Sequence, residues 1–393
     1  MPQSTARAER IAPNLLPGRR ASWFELFFDL AFVTSVAQLT GALAANYAPP
    51  QAGQFAFGLL LLWWAWLGHT FHGTRFDEDR ADQHALGMVQ ILAVVLIGYG
   101  ASDAFGARGE AFAVGMAAFK ALLALAYLRE RHRRGARGLV ARYGAIYLVQ
   151  AALWLASLAL PLPARWACWV AVLAIDMVSP FIVARFTHEF APHPEHLPER
   201  FGLFTIVLFG EGVASSLHAL SHGGELGAAS LLVAALGALT AFLFWVGYFE
   251  RARGHVERHA HSAAAGRDLR KWAFGHVPLY AGYGAVASGF VVAAGHGAHG
   301  AAPPWIFAAG LTLAMLGLTA IGQARSGAPS AGRHYLLALA PLPFALTGSL
   351  LVVAFAGCAT AAAQVCSSRR GGASSRRPST APQQAYSRRS RRR

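Results

Sequence analysis

The chain has 393 residues, of which 55% are hydrophobic and only 13% charged, with a formal net charge of +15. Soluble domains carry about 25% charged residues, so this composition and a mean hydropathy of +0.39 exclude an ordinary soluble enzyme or binding domain. The basic balance is not a nucleic-acid signal, because the arginines sit in short connections and in a low-complexity end, where they orient helices and meet anionic lipid headgroups.

Residues 1–21 are polar, with Arg7, Arg10, Arg19 and Arg20, and read as a soluble lead-in. Apolar runs then follow at 22–45, 53–73, 84–102, 110–129, 140–161, 165–186, 198–220, 227–249, 272–295, 304–323 and 334–357. Each has about the 20 residues that a helix needs to cross the hydrocarbon core. The expected fold is therefore all-α: a polytopic transmembrane bundle of about eleven helices, or twelve if a span is missed. Residues 22–357 form the helical domain, and 358–393 form a basic, disordered tail of Ser, Arg, Pro and Gln.

Arg-rich and Arg-poor connections alternate along this list. The rich ones hold Arg75 and Arg80, then Arg129 to Arg142, then Arg185 and Arg200, then Arg251 to Lys271, then Arg325 and Arg333. By the positive-inside rule the N-terminus is expected in the cytoplasm. An odd number of spans would then leave the tail, with Arg369, Arg370, Arg376 and Arg377, on the wrong side.

A weak repeat is visible between two halves, 22–186 and 198–357. Phe24-Glu25-Leu26-Phe27 opens the first span and Phe201-Gly202-Leu203-Phe204 the seventh, and Val36-Ala37 matches Val213-Ala214. The second and eighth spans both end in aromatics. Six helices repeated in parallel orientation is a common transporter plan.

Ionisable groups inside hydrocarbon cost roughly 2.5–3.5 kcal/mol each on insertion scales and mark functional candidates. Glu25 and Asp29 are four apart and share a helix face. Ser22 and Glu25 have capping-box spacing, which gives Glu25 a structural explanation and leaves Asp29 the better functional candidate. Lys120 lies centrally in the fourth span and is the expected partner of Asp29, Asp176 or Glu211. Asp176 precedes Pro180 by four residues, so its carbonyl loses its helical donor and the helix is expected to kink. Glu211 sits between two glycines, where another backbone can approach. His69 and His72 are one turn apart, before the acidic loop Asp77-Glu78-Asp79. His276 precedes Pro278 in the ninth span.

No metal is expected. His188-Glu189 with His193 is one residue too long for a metalloprotease motif, and His255, His259 and His261 lie among arginines. Cys168, Cys358 and Cys366 lack ligand or disulfide spacing. No phosphate loop, nucleophile elbow or dinucleotide fingerprint appears, so neither a cofactor nor conventional enzymatic activity is expected.

The segment Phe24-Glu25-Leu26-Phe27-Phe28-Asp29-Leu30-Ala31-Phe32-Val33 resembles the first-helix signature of the bacterial low temperature requirement A family. The tryptophan-rich second run leading to Arg75-Phe76-Asp77, and Glu199-Arg200-Phe201-Gly202-Leu203-Phe204-Thr205-Ile206-Val207-Leu208-Phe209-Gly210-Glu211, agree with it over about residues 20–357. The resemblance implies a multi-pass protein of the bacterial inner membrane. Phe27-Phe28-Asp29 is also similar to the Phe-Ser-Asp opening of a family of lysosomal and bacterial potassium or proton channels, with Phe in place of Ser. The favoured expectation is passage of a small solute or ion, with membrane lipids as the other partners. A non-catalytic sensor or scaffold, or an intramembrane enzyme using His69 and His72, are the alternatives.

Overall fold

The computed structural model describes residues 20–76, 81–133, 135–183, 192–222, 227–252, 263–294, 302–324 and 332–374. Among the described residues there are twelve α-helices and no strand. The first six are α1 (Trp23–Ala45), α2 (Pro49–Phe76), α3 (Ala81–Ala101), α4 (Gly109–Arg129), α5 (Arg137–Ser157) and α6 (Leu162–Val183). The second six are α7 (His196–His222), α8 (Ala228–Ala252), α9 (Ala263–Ala294), α10 (Ala302–Gln323), α11 (Gly332–Leu339) and α12 (Leu350–Ser374).

Ten of these, α1, α3 to α10 and α12, are long and apolar enough to cross a membrane. The helix α2 is not one of the ten, yet at 28 residues it is roughly 42 Å long. The reason is its position. Leu61 to Gly68 are buried without interruption, so α2 faces protein rather than lipid and has no need of the all-round aliphatic surface that the outer helices carry.

The two sixes are built alike. In the first, α1 packs on α2 and α3, α2 on α4 and α6, α3 on α4, α4 on α5, and α5 on α6. Each of these pairings recurs in the second six, from α7 on α8 and α9 through to α11 on α12. The hairpins α3–α4 and α9–α10 are close in both. A Cβ at Gly100 would lie 2.4 Å from the Phe112 nitrogen, and one at Gly282 would lie 2.3 Å from that of Ala314. The seam between units runs along α1, which packs on α7 and α9. Tyr47 Oη donates to the Ala285 carbonyl (2.7 Å) and Ser288 Oγ to that of Thr40 (2.9 Å).

The last span departs from the sequence expectation of 334–357. The eight-residue α11 is followed by a 3-10 turn over Leu342–Thr347, and Gly348, at φ 71°, closes it. Pro341 stops α11, and only a residue tolerant of positive φ can take the turn. The apolar span is instead Leu350–Ser367 and its helix continues to Ser374, well past the position 358 where the tail was expected to begin. Gln364 Nε2 donates to the His334 carbonyl (2.9 Å), and Ser367 Oγ pairs with His334 Nε2 (2.9 Å). Residues 332–347 therefore run antiparallel to α12. Eight α-helical and six 3-10 residues rise roughly 12 Å each, together close to the ~30 Å hydrocarbon thickness. A chain crossing with every element, this broken one included, crosses an even number of times. An even number of crossings would put the two ends of the chain on one side of the membrane, where the basic tail meets no charge conflict. Residues 375–393 lie outside the described residues.

Candidate functional site

The site forms where α1, α2 and α7 meet. The helix α1 starts on a capping box: Ser22 Oγ accepts from the Glu25 amide (3.2 Å) and Glu25 Oε2 from the Ser22 amide (2.8 Å). That reading of Glu25 holds, and it is only part of what this side chain does. Glu25 Oε1 also accepts from Arg200 Nη1 (2.6 Å), and His196 Nε2 lies 3.0 Å from Glu25 Oε2. One turn deeper, Asp29 receives the Arg200 fork, Nη2 to Oδ1 at 2.6 Å and Nε to Oδ2 at 3.1 Å. Trp66 Nε1 donates to the same Oδ1 (2.7 Å).

Asp29, Arg200 and His196 are fully buried and Glu25 is 6% exposed. A planar guanidinium can serve two carboxylates at once, which an ammonium cannot match. Two carboxylates share one guanidinium, so the cluster holds one acidic group more than its single guanidinium balances. Removing ions from water costs several kcal/mol each even after relaxation, so such a cluster persists only with this density of hydrogen bonds.

Sequence reading misplaced Arg200. It counts there as a connection charge, yet α7 begins at His196 and carries Arg200 inside the protein. Arg75, counted the same way, is also buried, with Nη1 on Tyr127 Oη (3.3 Å) and its guanidinium 5.0 Å from the Phe71 ring. The signal for Arg200 was present: two carboxylates on one α1 face require a cation, and this arginine opens the helix with the matching motif. His196 gave no such signal.

Lys120 pairs with Asp176, one of its three expected partners. Nζ lies 2.9 Å from both carboxylate oxygens, and Gln150 Nε2 donates to Oδ1 (2.8 Å). Ser179 Oγ donates to the Asp176 carbonyl (2.9 Å), replacing the donor that Pro180 lacks, and α6 runs on through the proline to Val183. This group is enclosed by α4, α5 and α6 and reads as a structural pair. Glu211 is half-buried, accepts from Ser215 Oγ (3.2 Å), and has no cation partner among the described residues. It lies eleven residues beyond Arg200 on α7, roughly 16 Å along the axis. Asp29, Glu211, Asp176 and Lys120 thus fall in three places and form no common site.

His69 and His72 line a cavity that Glu25 borders. It measures about 60 Å³ and is also lined by His84, Gln83 and Gln90, with Ser22 at its edge. His69 stacks on Phe28, ring centroids 3.6 Å apart. His276, the weaker candidate, is held by Tyr248 Oη (3.1 Å) and the Trp272 carbonyl (2.8 Å) in the second unit. Among the described residues no group of three or more His, Cys, Asp or Glu could hold a metal. Asp77 to Arg80, His188 to Ala191 and the stretch holding His255, His259 and His261 lie outside the described residues.

A family model described as bacterial low temperature requirement A protein matches residues 20–367. The chain is similar, at 24% identity over 275 residues, to an uncharacterized protein of Rhizobium meliloti (strain 1021), covering 67% of each.

Proposed function

The chain belongs to the bacterial low temperature requirement A family, and we propose that it carries protons or small cations across the inner membrane, with Glu25, Asp29 and Arg200 as the working group and its N-terminus in the cytoplasm. The observation behind this reading is the placement of that group. Two carboxylates with one guanidinium lie in the seam between two six-helix units, beside a polar cavity. A static bundle is held more cheaply by apolar packing, and intramembrane ionisable groups mark ion paths by default.

A cation or proton arriving at Glu25 or Asp29 competes with Arg200 for the carboxylate. Binding then weakens the bond that ties α1 to α7, so occupancy biases how the two units sit against each other. The enzymatic alternative needs room for a lipid-soluble substrate, and about 60 Å³ is far below the roughly 300 Å³ of a small ligand pocket.

The test is flux in proteoliposomes, with a pH-sensitive dye for protons and tracer for alkali cations, comparing wild type with Asp29→Asn and Arg200→Gln. Flux above empty liposomes in wild type, lost in both variants, is the expected result. Equal flux in all three, or none in wild type, would overturn the reading and favour a sensor or scaffold.

A further inference from the structure

The cavity beside the seam has a chemistry of its own. His72 is 5% exposed and Gln90 2% exposed, yet His72 Nε2 and Gln90 Nε2 have no hydrogen-bond partner, and both residues line the cavity. Buried polar atoms are almost always satisfied, and an orphan in a polar space calls for an occupant. The Ala126 backbone lies within reach of the His72 ring, and the tautomer protonated at Nδ1 presents a lone pair at Nε2. Gln90 presents N–H donors. A lone pair and a donor across a small gap suit water, which both gives and takes. At about 30 Å³ per molecule, 60 Å³ holds about two.

The lining also has a direction. Gln83 and His84 belong to the first turn of α3 and Ser22 caps α1, so the cavity starts at the helix ends. Glu25, tied to Ser22, borders it near that same end, and His69 lines it one turn further along α2. Gly73 stands beside the carboxylate: a Cβ there would be 3.4 Å from Glu25 Oε1 and 3.9 Å from Arg200 Nη1. His72 lies against Tyr127 from α4 and in the field of Arg75 and His69 on its own helix and of Arg133 beyond α4, and it shares the cavity with Glu25 from α1 and His84 from α3. His69 faces Phe28, Gln90 and the Arg200 charge.

Resting on the transport reading above, we infer that this cavity is a water-filled vestibule that loads protons onto Glu25, with His72 as its relay and Gln90 as a donor that holds its water, so that the transported ion is the proton. A proton entering past Gln83 and His84 adds to His72 Nε2, which becomes an imidazolium. It leaves the same nitrogen through the cavity water to a Glu25 oxygen. The imidazole returns to neutral, one positive charge has passed from the cavity to the carboxylate, and Glu25 loosens its hold on Arg200.

Two measurements test this. Proton and alkali-cation flux are compared in proteoliposomes for wild type, His72→Phe and Gln90→Leu, each first shown to unfold at the wild-type temperature; Gln90→Leu stands alone should His72→Phe fail that check. Loss of the proton-transfer group in His72→Phe predicts roughly 100-fold slower proton flux, and loss of the water-holding donor in Gln90→Leu predicts slower flux in the same direction. Water-edited solid-state NMR of 15N-histidine protein in lipid reads the cavity independently, with fast transfer from water to His72 expected. Unchanged proton flux in a folded variant, or a dry His72, overturns the vestibule. Wild type carrying alkali cations but no protons also overturns it while leaving the transport reading intact. Wild type carrying neither overturns the transport reading and the relay with it.

Discussion

Arg200→Gln is the sharpest probe of the seam. Arg200 donates three hydrogen bonds to carboxylates, at 2.6, 2.6 and 3.1 Å, inside a cluster where it and Asp29 have no exposed surface. Its removal leaves Glu25 with His196 and Asp29 with Trp66, and two carboxylates without their shared cation. Breaking a buried pair by deleting one partner costs about 3–5 kcal/mol. Asp29→Asn is milder, about 1–3 kcal/mol, because the amide oxygen still accepts from Trp66 and Glu25 keeps the guanidinium. The double variant removes the stranded charge as well, so its cost should fall short of the sum by about 2 kcal/mol. Equilibrium unfolding in mixed detergent–SDS micelles, run as a double-mutant cycle, measures all three. An Arg200→Gln cost under ~1 kcal/mol with additive singles would refute the buried cluster, since groups that couple this closely cannot add.

Three further outcomes follow from the fold. Lys120→Met should cost about 3–5 kcal/mol by stranding Asp176, whereas Lys120→Met with Asp176→Leu should lie near wild type; equal losses in the same unfolding assay would show that the pair is not an isolated structural one. Gly282→Val should force α9 from α10, because the added Cβ meets the Ala314 backbone at 2.3 Å, and a main chain cannot rotate aside; wild-type thermal stability would contradict the close approach. Impermeant labelling of single cysteines placed near residue 5 and near residue 390 should come from one face of sealed vesicles, and opposite faces would reject an even number of crossings.

Much of the architecture was legible in the chain alone, because apolar length is a local property. Nine of the eleven expected runs meet a helix within a few residues of both ends, as α4 at Gly109–Arg129 does for 110–129, and a tenth, 272–295, meets α9, which starts earlier, at Ala263. The Ser22–Glu25 cap is likewise a local, three-residue matter. The last run failed where length and hydropathy say nothing about direction: Pro341 and Gly348 break it, and only packing on α12 shows that the fragments run antiparallel. The site was half legible. A carboxylate inside an apolar run announces itself, so Glu25, Asp29, Asp176 and Lys120 stood out. Their partners did not, for a salt bridge is chosen by where helices meet. Lys120 had three candidate carboxylates and the fold selected Asp176, while Arg200, 171 residues from Asp29, looked like one more cationic loop end. Partnership across the seam is a property of tertiary structure, because charge at a helix end reads the same from sequence whether it faces water or is drawn inside.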